Sequence, residues 1–321
     1  MATPIDEVHR LICQLETLHR GEEAVTSLIA LGPVAIGPLS KYLLEGRPSK
    51  VFQPRLWTVK ALAGLRAREA LVSYLLQERE IADPEECFGE EAVASAAARS
   101  LAAWLDEDTR RFLLKLSERR LLNGLIDALA ELKTPEAIPY FEHALEDDFY
   151  RPAAENAFLK LGGAAGDALA QSAVTPRPNP SMETPGSLER RRAAVRLLNI
   201  LGISAAHWQI LRGLLHESDA ELVVEASKLG LRHGSEGDRV KMAQRLMELL
   251  SSASWHLRKD IEENLVALKD EAVGDIEEEV ARRLKQPEDV RARDVRLRAL
   301  LRVKRRWERA GGFPPGGGKR N

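Results

Sequence analysis

Aromatic side chains are scarce in this sequence, at 5% of 321 residues. The apolar interior must therefore be built from Ala and Leu, which is what close helix–helix packing needs. There are only two cysteines, Cys13 and Cys87. At 74 positions apart they form neither a metal motif nor a disulfide framework, and both are expected to be small buried hydrophobes in a reducing compartment. No apolar run approaches the ~18 residues of a membrane span. The opening MATPIDEVHR has no basic stretch leading into an apolar one, so no secretory signal is expected. Together these absences point to the cytosol, with no membrane contact.

Reactive motifs are missing as well. The seven histidines, at 9, 19, 143, 207, 216, 233 and 256, are scattered, and none forms HExxH. Gly-rich phosphate loops and nucleophile motifs are absent. No cofactor, metal site or catalytic residue is expected.

What the chain does contain is a recurring helical hairpin. It appears first as Ala24-Val25-x-x-Leu28-x-x-Leu31-Gly32-Pro33-x-Ala35-Ile36-x-Pro38-Leu39. An apolar helix ends at a Gly or a short polar turn, and a second apolar helix follows at once. A unit of 30–40 residues cannot bury its apolar face alone, so neighbours must stack. Apolar content of 44% is ample for such a core.

Periodicity places a capping helix at 4–19 and hairpins at 22–31/34–45, 53–65/67–79, 89–105/107–117, 119–132/135–146 and 150–161/164–173. An acidic loop is expected at 80–88, and Thr134 is expected to cap the helix that begins at Pro135. The segment 174–187, with prolines at 176, 178, 180 and 185, interrupts the array. Hairpins resume at 188–201/203–217, 219–232/236–251 and 254–268/271–286, followed by a last helix near 288–309. The expectation is one all-α body, 1–310, made of a first array at 1–173, the Pro-rich loop 174–187 and a second array at 188–310. The tail 311–321 is expected to be disordered.

The leucines closing the first helices are Leu31, Leu65, Leu105, Leu132, Leu161, Leu201, Leu231 and Leu268, at variable spacing. Variable spacing, a Gly after the first helix and an Ala/Ile-x-x-Leu start to the second resemble HEAT repeats, most of all the short HEAT-like class of phycobilin lyases and many bacterial proteins. The matching residues are Ala24, Val25, Leu31, Gly32, Ala35 and Leu39 in the first hairpin. The fourth adds Leu132, Pro135, Ala137, Ile138, Pro139 and Leu145, and the fifth Arg151, Ala153, Ala154, Leu161 and Gly162. The resemblance covers about 20–310. It implies an α-α superhelix of about eight hairpins plus terminal capping helices, and it implies that second helices line the concave face. It implies little about function.

On that face the sequence suggests a stripe of Trp208, Arg212 and His216 at i, i+4 and i+8, opposite an apolar face of Ala206, Ile210, Leu211, Leu214 and Leu215. An exposed Trp beside an Arg has the composition of a binding hot spot. Tyr140, His143, Lys241, Gln244 and Arg245, with Arg110 and Arg111, are further candidates on second helices.

The net charge of −2 conceals a basic end. Residues 281–321 hold 14 Lys/Arg against 4 Asp/Glu. Arg291, Arg293, Arg296, Arg298, Arg302, Lys304, Arg305 and Arg306 are the candidate phosphate contacts there. The preceding run Asp275, Glu277, Glu278 and Glu279 is placed to neutralise part of it.

The function expected is a non-enzymatic, protein-binding scaffold or adaptor. Two alternatives stay open: a nucleic-acid-binding module using the basic C-terminal helix, and a lyase- or chaperone-like modifying factor of the bilin-lyase type. The sequence leaves the oligomeric state undetermined.

Overall fold

Helices account for nearly all of the regular secondary structure in the computed structural model, which describes residues 3–17, 20–179 and 182–310. The tail 311–321, expected to be disordered, lies outside the described residues. The chain divides into two compact units, Met1–Leu161 and Gly162–Asn321. The division falls inside the fifth expected hairpin, ahead of the Pro-rich loop.

The first unit contains α1 (Pro4–Leu15), α2 (Gly21–Leu31), α3 (Ile36–Glu45), α4 (Gln53–Gly64), α5 (Arg68–Leu75), α6 (Pro84–Leu101), α7 (Glu107–Ser117), α8 (Asn123–Glu131), α9 (Ile138–Ala144) and α10 (Arg151–Leu161). The first helix of each hairpin packs on the first helix of the next, in the row α2, α4, α6, α8, α10. Small residues permit this contact: Ala94, Ala97, Ala98, Ala128 and Ala130 are buried between helices. The tightest approach is at Gly124 of α8. A Cβ there would lie 1.8 Å from the Ser95 carbonyl oxygen of α6. Gly124→Ala is thus expected to push α8 off α6 and cost about 3 kcal/mol in urea denaturation. An unchanged midpoint would mean that the two helices are not held at this distance.

Three of the turns in this unit share one device, a residue at positive φ. Gly32 (φ 74°) supplies it after α2, while Arg66 (φ 58°) and Lys133 (φ 46°) occupy the position after α4 and α8. Thr134 does not cap as expected. Its buried Oγ1 makes no hydrogen bond, and Pro135 opens a short 3₁₀ turn instead.

The second unit contains α11 (Gly166–Val174), α12 (Pro185–Leu201), α13 (Ala205–Leu211), α14 (Ala220–His233), α15 (Glu236–Leu249), α16 (Trp255–Ala267), α17 (Lys269–Leu284), α18 (Glu288–Arg293) and α19 (Val295–Ala310). Here α12, α14, α16 and α19 pack in sequence, as do α15, α17 and α19. The Pro-rich segment is not wholly irregular. Its β1 (Pro178–Asn179) pairs antiparallel with β2 (Met182–Glu183), Pro178 opposite Glu183. The segment is tied down by α12. Arg191 donates to the Ala173 carbonyl (2.8 Å) and to Glu183 (2.8 Å), and Arg190 donates to Ser172 Oγ (2.6 Å) and the Thr175 carbonyl (2.8 Å).

That arginine belongs to a recurring clasp. Arg55 near the start of α4 donates to the Leu43 carbonyl in the last turn of α3 (3.1 Å). Arg151 opening α10 donates to the Leu145 carbonyl at the end of α9 (2.9 Å). Each guanidinium satisfies carbonyls that a helix C-terminus leaves open, and its charge opposes the negative end of the helix dipole.

Three expectations are corrected. Gly21–Glu45, with mean hydropathy 1.4, is one stretch long and apolar enough, by length and composition alone, to cross a membrane. Gly32 divides it into α2 and α3, whose Leu28, Leu39 and Leu43 are fully buried. Cys13 is exposed and Cys87 half-buried, because both sit at the edge of their helices' apolar stripes. Leu105 does not close a first helix. α6 runs 84–101, capped by Asp83, and Leu105 is 82% exposed.

Candidate binding site

One structural departure from the sequence reading, at the end of α5, creates a site. Helical periodicity carries that helix to residue 79, whereas it stops at Leu75. No Gly or Pro ends it. Arg79 instead donates to the Gly46 and Leu44 carbonyls at the end of α3 (2.6 and 2.5 Å), and Gln77 Nε2 to the Leu44 carbonyl (3.4 Å). These bonds draw residues 77–82 out of the helix into a run without secondary structure, whose side chains alternate between half-buried and exposed up to the Asp83 cap of α6. Tertiary contacts override a helix-favouring sequence here.

The early stop leaves a gap between α5 and α7, and a cavity of about 670 Å³ fills it. Its walls come from three places. The end of α5 and the run after it supply Tyr74, Leu75, Leu76, Glu78, Arg79 and Ile81. The N-terminal half of α6 supplies Cys87, Glu90 and Glu91. One face of α7 and the residues after it supply Phe112, Lys115, Leu116, Arg119 and Arg120. Phe112, Lys115, Leu116 and Arg119 share that face through 3/4 spacing.

The floor is a buried charge network. Glu90 is 7% exposed and Arg55 5%. Glu90 accepts from both terminal nitrogens of Arg55, from the Tyr74 hydroxyl (2.8 Å), and sits 3.9 Å from Arg79 Nε. Arg55 also lies over the Tyr74 ring, 5.4 Å from its centroid. Burial and then the Glu90 carboxylate push the Tyr74 phenol far above its usual pKa, so it stays a protonated donor. Towards the mouth, Arg119 pairs loosely with Glu78 (3.8 Å), while the side chains of Lys115 and Arg120 have no partner among the described residues. The wall therefore carries an excess of positive charge. The unit around it has the opposite bias, with 19 Lys/Arg against 26 Asp/Glu in 1–161.

The residues expected from sequence are distributed otherwise. Trp208 is 1% exposed, not a surface anchor. Its indole donates to Asp238 Oδ2 (3.1 Å), and Asp238 also accepts from Ser235 in the cap of α15. The buried face of α13 is Trp208, Leu211, Leu214 and Leu215, whereas Ala206 and Ile210 are exposed. The helix tightens to 3₁₀ at Arg212–His216, which breaks the assumed 100° phase. Arg212 and His216 are exposed.

Tyr140 is buried, its hydroxyl between Leu122 N–H (3.0 Å) and the Arg120 carbonyl (3.2 Å). His143 is exposed in the first unit. Lys241 is exposed, and Gln244 lines a 240 Å³ hollow with Glu279 and Arg296. Arg245 is engaged by Glu248 (2.7 Å) and the Glu217 carbonyl (3.0 Å). Arg110 and Arg111 pair with Glu107, and Arg110 with Glu136 as well.

At the basic end, α19 docks through Leu297, Leu300, Val303 and Trp307. Arg302 is held by Glu262 (2.5 Å), Lys304 by Glu277 (3.3 Å) and Arg296 by Glu279 (3.5 Å), so these three are committed internally. The half-buried Arg291 has its Nε enclosed without a partner. Arg293, Arg298, Arg305 and Arg306 are exposed, without side-chain partners among the described residues.

The cavity itself was not anticipated. The available signal was the α7 face, Phe112-x-x-Lys115-Leu116-x-x-Arg119-Arg120, which is too hydrophobic for a solvated surface and too basic for a core.

No family model matches the chain, and no curated protein matches it. Among solved structures it is similar to the crystal structure of an engineered protein, at 17% identity, covering 94% of this chain and 99% of that one with a TM-score of 0.31. At that score the likeness carries no structural argument.

Proposed function

We propose that this protein is a non-enzymatic binding module of the HEAT-like α-solenoid type, acting in the cytosol on a protein partner. The sequential packing of first helices within each unit supports the solenoid reading. The observation that carries the functional reading is the 670 Å³ cavity between α5, α6 and α7. It joins apolar walls with a few convergent charged groups, the usual anatomy of a ligand site. Two of its three walls come from the second helices α5 and α7, the elements that the repeat resemblance assigns to binding.

The test is affinity capture from native lysate with the wild type beside Phe112→Glu, with and without nuclease. Phe112 lines the cavity and is only half-buried, so the substitution alters its lining without emptying the core. A protein recovered at least ~10-fold less with the variant is the expected outcome, corresponding to about 1.4 kcal/mol. Equal recovery removes the cavity from the function.

A second reading, contact with a polyanion through α19, rests on the exposed Arg298, Arg305 and Arg306. Nuclease-sensitive capture that Phe112→Glu leaves unchanged would transfer the function to that end.

A further inference from the structure

The segment beside the cavity has an unusual backbone. From Glu78 to Ala82 no main-chain N–H or carbonyl takes part in a hydrogen bond with any described residue. The run belongs to no helix or strand, and the side chains of Glu78, Arg79 and Ile81 face the cavity. Its ends are fixed. Arg79 and Gln77 hold one to the last turn of α3, and the Asp83 side chain caps α6 at the other, accepting from Glu85 N–H (2.9 Å). Side chains along the run alternate between exposed and half-buried, and an anchored, unpaired main chain of that pattern is a template on which an extended chain can pair, with alternate side chains entering pockets alongside.

Charge and shape define what would pair there. The floor carboxylate, Glu90, is already satisfied by Arg55, Arg79 and Tyr74, so it asks nothing of a ligand. Two cations at the mouth, Lys115 and Arg120, are unsatisfied among the described residues, against one carboxylate, Glu91. The same cavity is lined by Leu75, Phe112 and Leu116, and by Ile81 of the run itself. We propose that residues 78–82 receive an extended acidic peptide of a partner protein by main-chain pairing. One apolar side chain of the peptide enters the cavity, and its flanking carboxylates meet Lys115 and Arg120. This rests on the binding-module reading above and names the chemistry of its partner.

The same surface disfavours basic competitors. A Lys or Arg beside the anchor would face Lys115 and Arg120 in a partly desolvated setting, where like charges repel strongly. The acidic background of the unit then repels a partner that approaches anywhere else, so register is set by charge as well as by the pocket.

Selection from a random 12-residue displayed peptide library against the full-length protein tests this. The wild type is expected to enrich peptides with Asp or Glu flanking a Leu, Ile or Phe. The best of them should bind Lys115→Glu/Arg120→Glu at least ~30-fold more weakly, and Lys115→Gln/Arg120→Gln by an intermediate factor. Glu80→Pro deletes one main-chain donor in a run that has no helix to break. It should weaken the same peptide ~5-fold or more with an unchanged melting temperature.

Enriched peptides that are neutral or basic would overturn the acidic assignment while leaving a binding module. Equal affinity for the wild type and Glu80→Pro would overturn main-chain pairing. No enrichment at all on the wild type would sink the binding-module reading, and this proposal with it.

Discussion

Trp208→Ala is expected to destabilise the second unit by about 3–5 kcal/mol, the range for emptying a large buried ring. Trp208 fills the space between α13, α14 and α15, and a Cβ on Gly230 of α14 would stand only 2.8 Å from its ring. Denaturant unfolding monitored at far-ultraviolet wavelengths reads the loss directly. Arg212→Ala, an exposed neighbour, should shift the midpoint by no more than about 0.5 kcal/mol. Comparable effects from both would mean that the Trp is not a core residue.

Trp208→Phe separates ring volume from the indole hydrogen bond and should cost about 1–2 kcal/mol. That loss has a pH signature. Burial raises the Asp238 pKa, but bonds from Trp208 and Ser235 outweigh it and hold the carboxyl below its usual value. A depressed folded-state pKa stabilises at neutral pH, and the contribution fades as pH falls through the range below about 4. The gap between wild type and Trp208→Phe should therefore narrow in acid. A gap that widens would reverse the assignment.

Glu90→Ala should cost about 3–5 kcal/mol in the first unit, because it strands the buried Arg55 guanidinium and loosens Arg79 and Tyr74. The effect reaches further than one ion pair. Arg79 positions the run after α5, so the cavity wall should lose definition together with stability. Replacing the pair, Arg55→Met with Glu90→Leu, should recover most of the loss, since removing both charges avoids an uncompensated one. Thermal melts of the three proteins decide this. If the double variant melts no higher than Glu90→Ala, the cost lies in packing around α4 and α6, not in an orphaned charge.

The all-α class and the succession of paired helices were legible in the sequence because apolar residues at 3/4 spacing and the Gly32-type turns are local signals. Boundaries failed where distant contacts decide them. Residues 76–79 read as helix, yet Arg79 and Gln77 find stronger partners at the end of α3, and nothing within ten residues of them says so. Trp208 failed for another reason. The 100° phase does not carry through Arg212–His216, where the chain tightens to 3₁₀, and Gly213 is the one local sign of the change. The basic end was visible as composition, but composition cannot say which arginines already hold Glu262 or Glu279. The cavity was invisible for the same reason as the boundary beside it, since it exists only because α5 stops short.

The arginine clasps change what should be regarded as one building block of this protein. Arg55, Arg151 and Arg191 each bind the carbonyl end of the second helix that precedes them, not the helix that follows in their own hairpin. A transplantable segment that keeps these bonds begins at a second helix and ends with the next first helix. Its natural seams are the positive-φ turns at Gly32, Arg66 and Lys133, where chain reversal depends on a single residue. An engineer who shortened or lengthened the array by whole hairpins would sever a clasp at the α3/α4, α9/α10 and α11/α12 junctions. Cutting at the turns would preserve all of them.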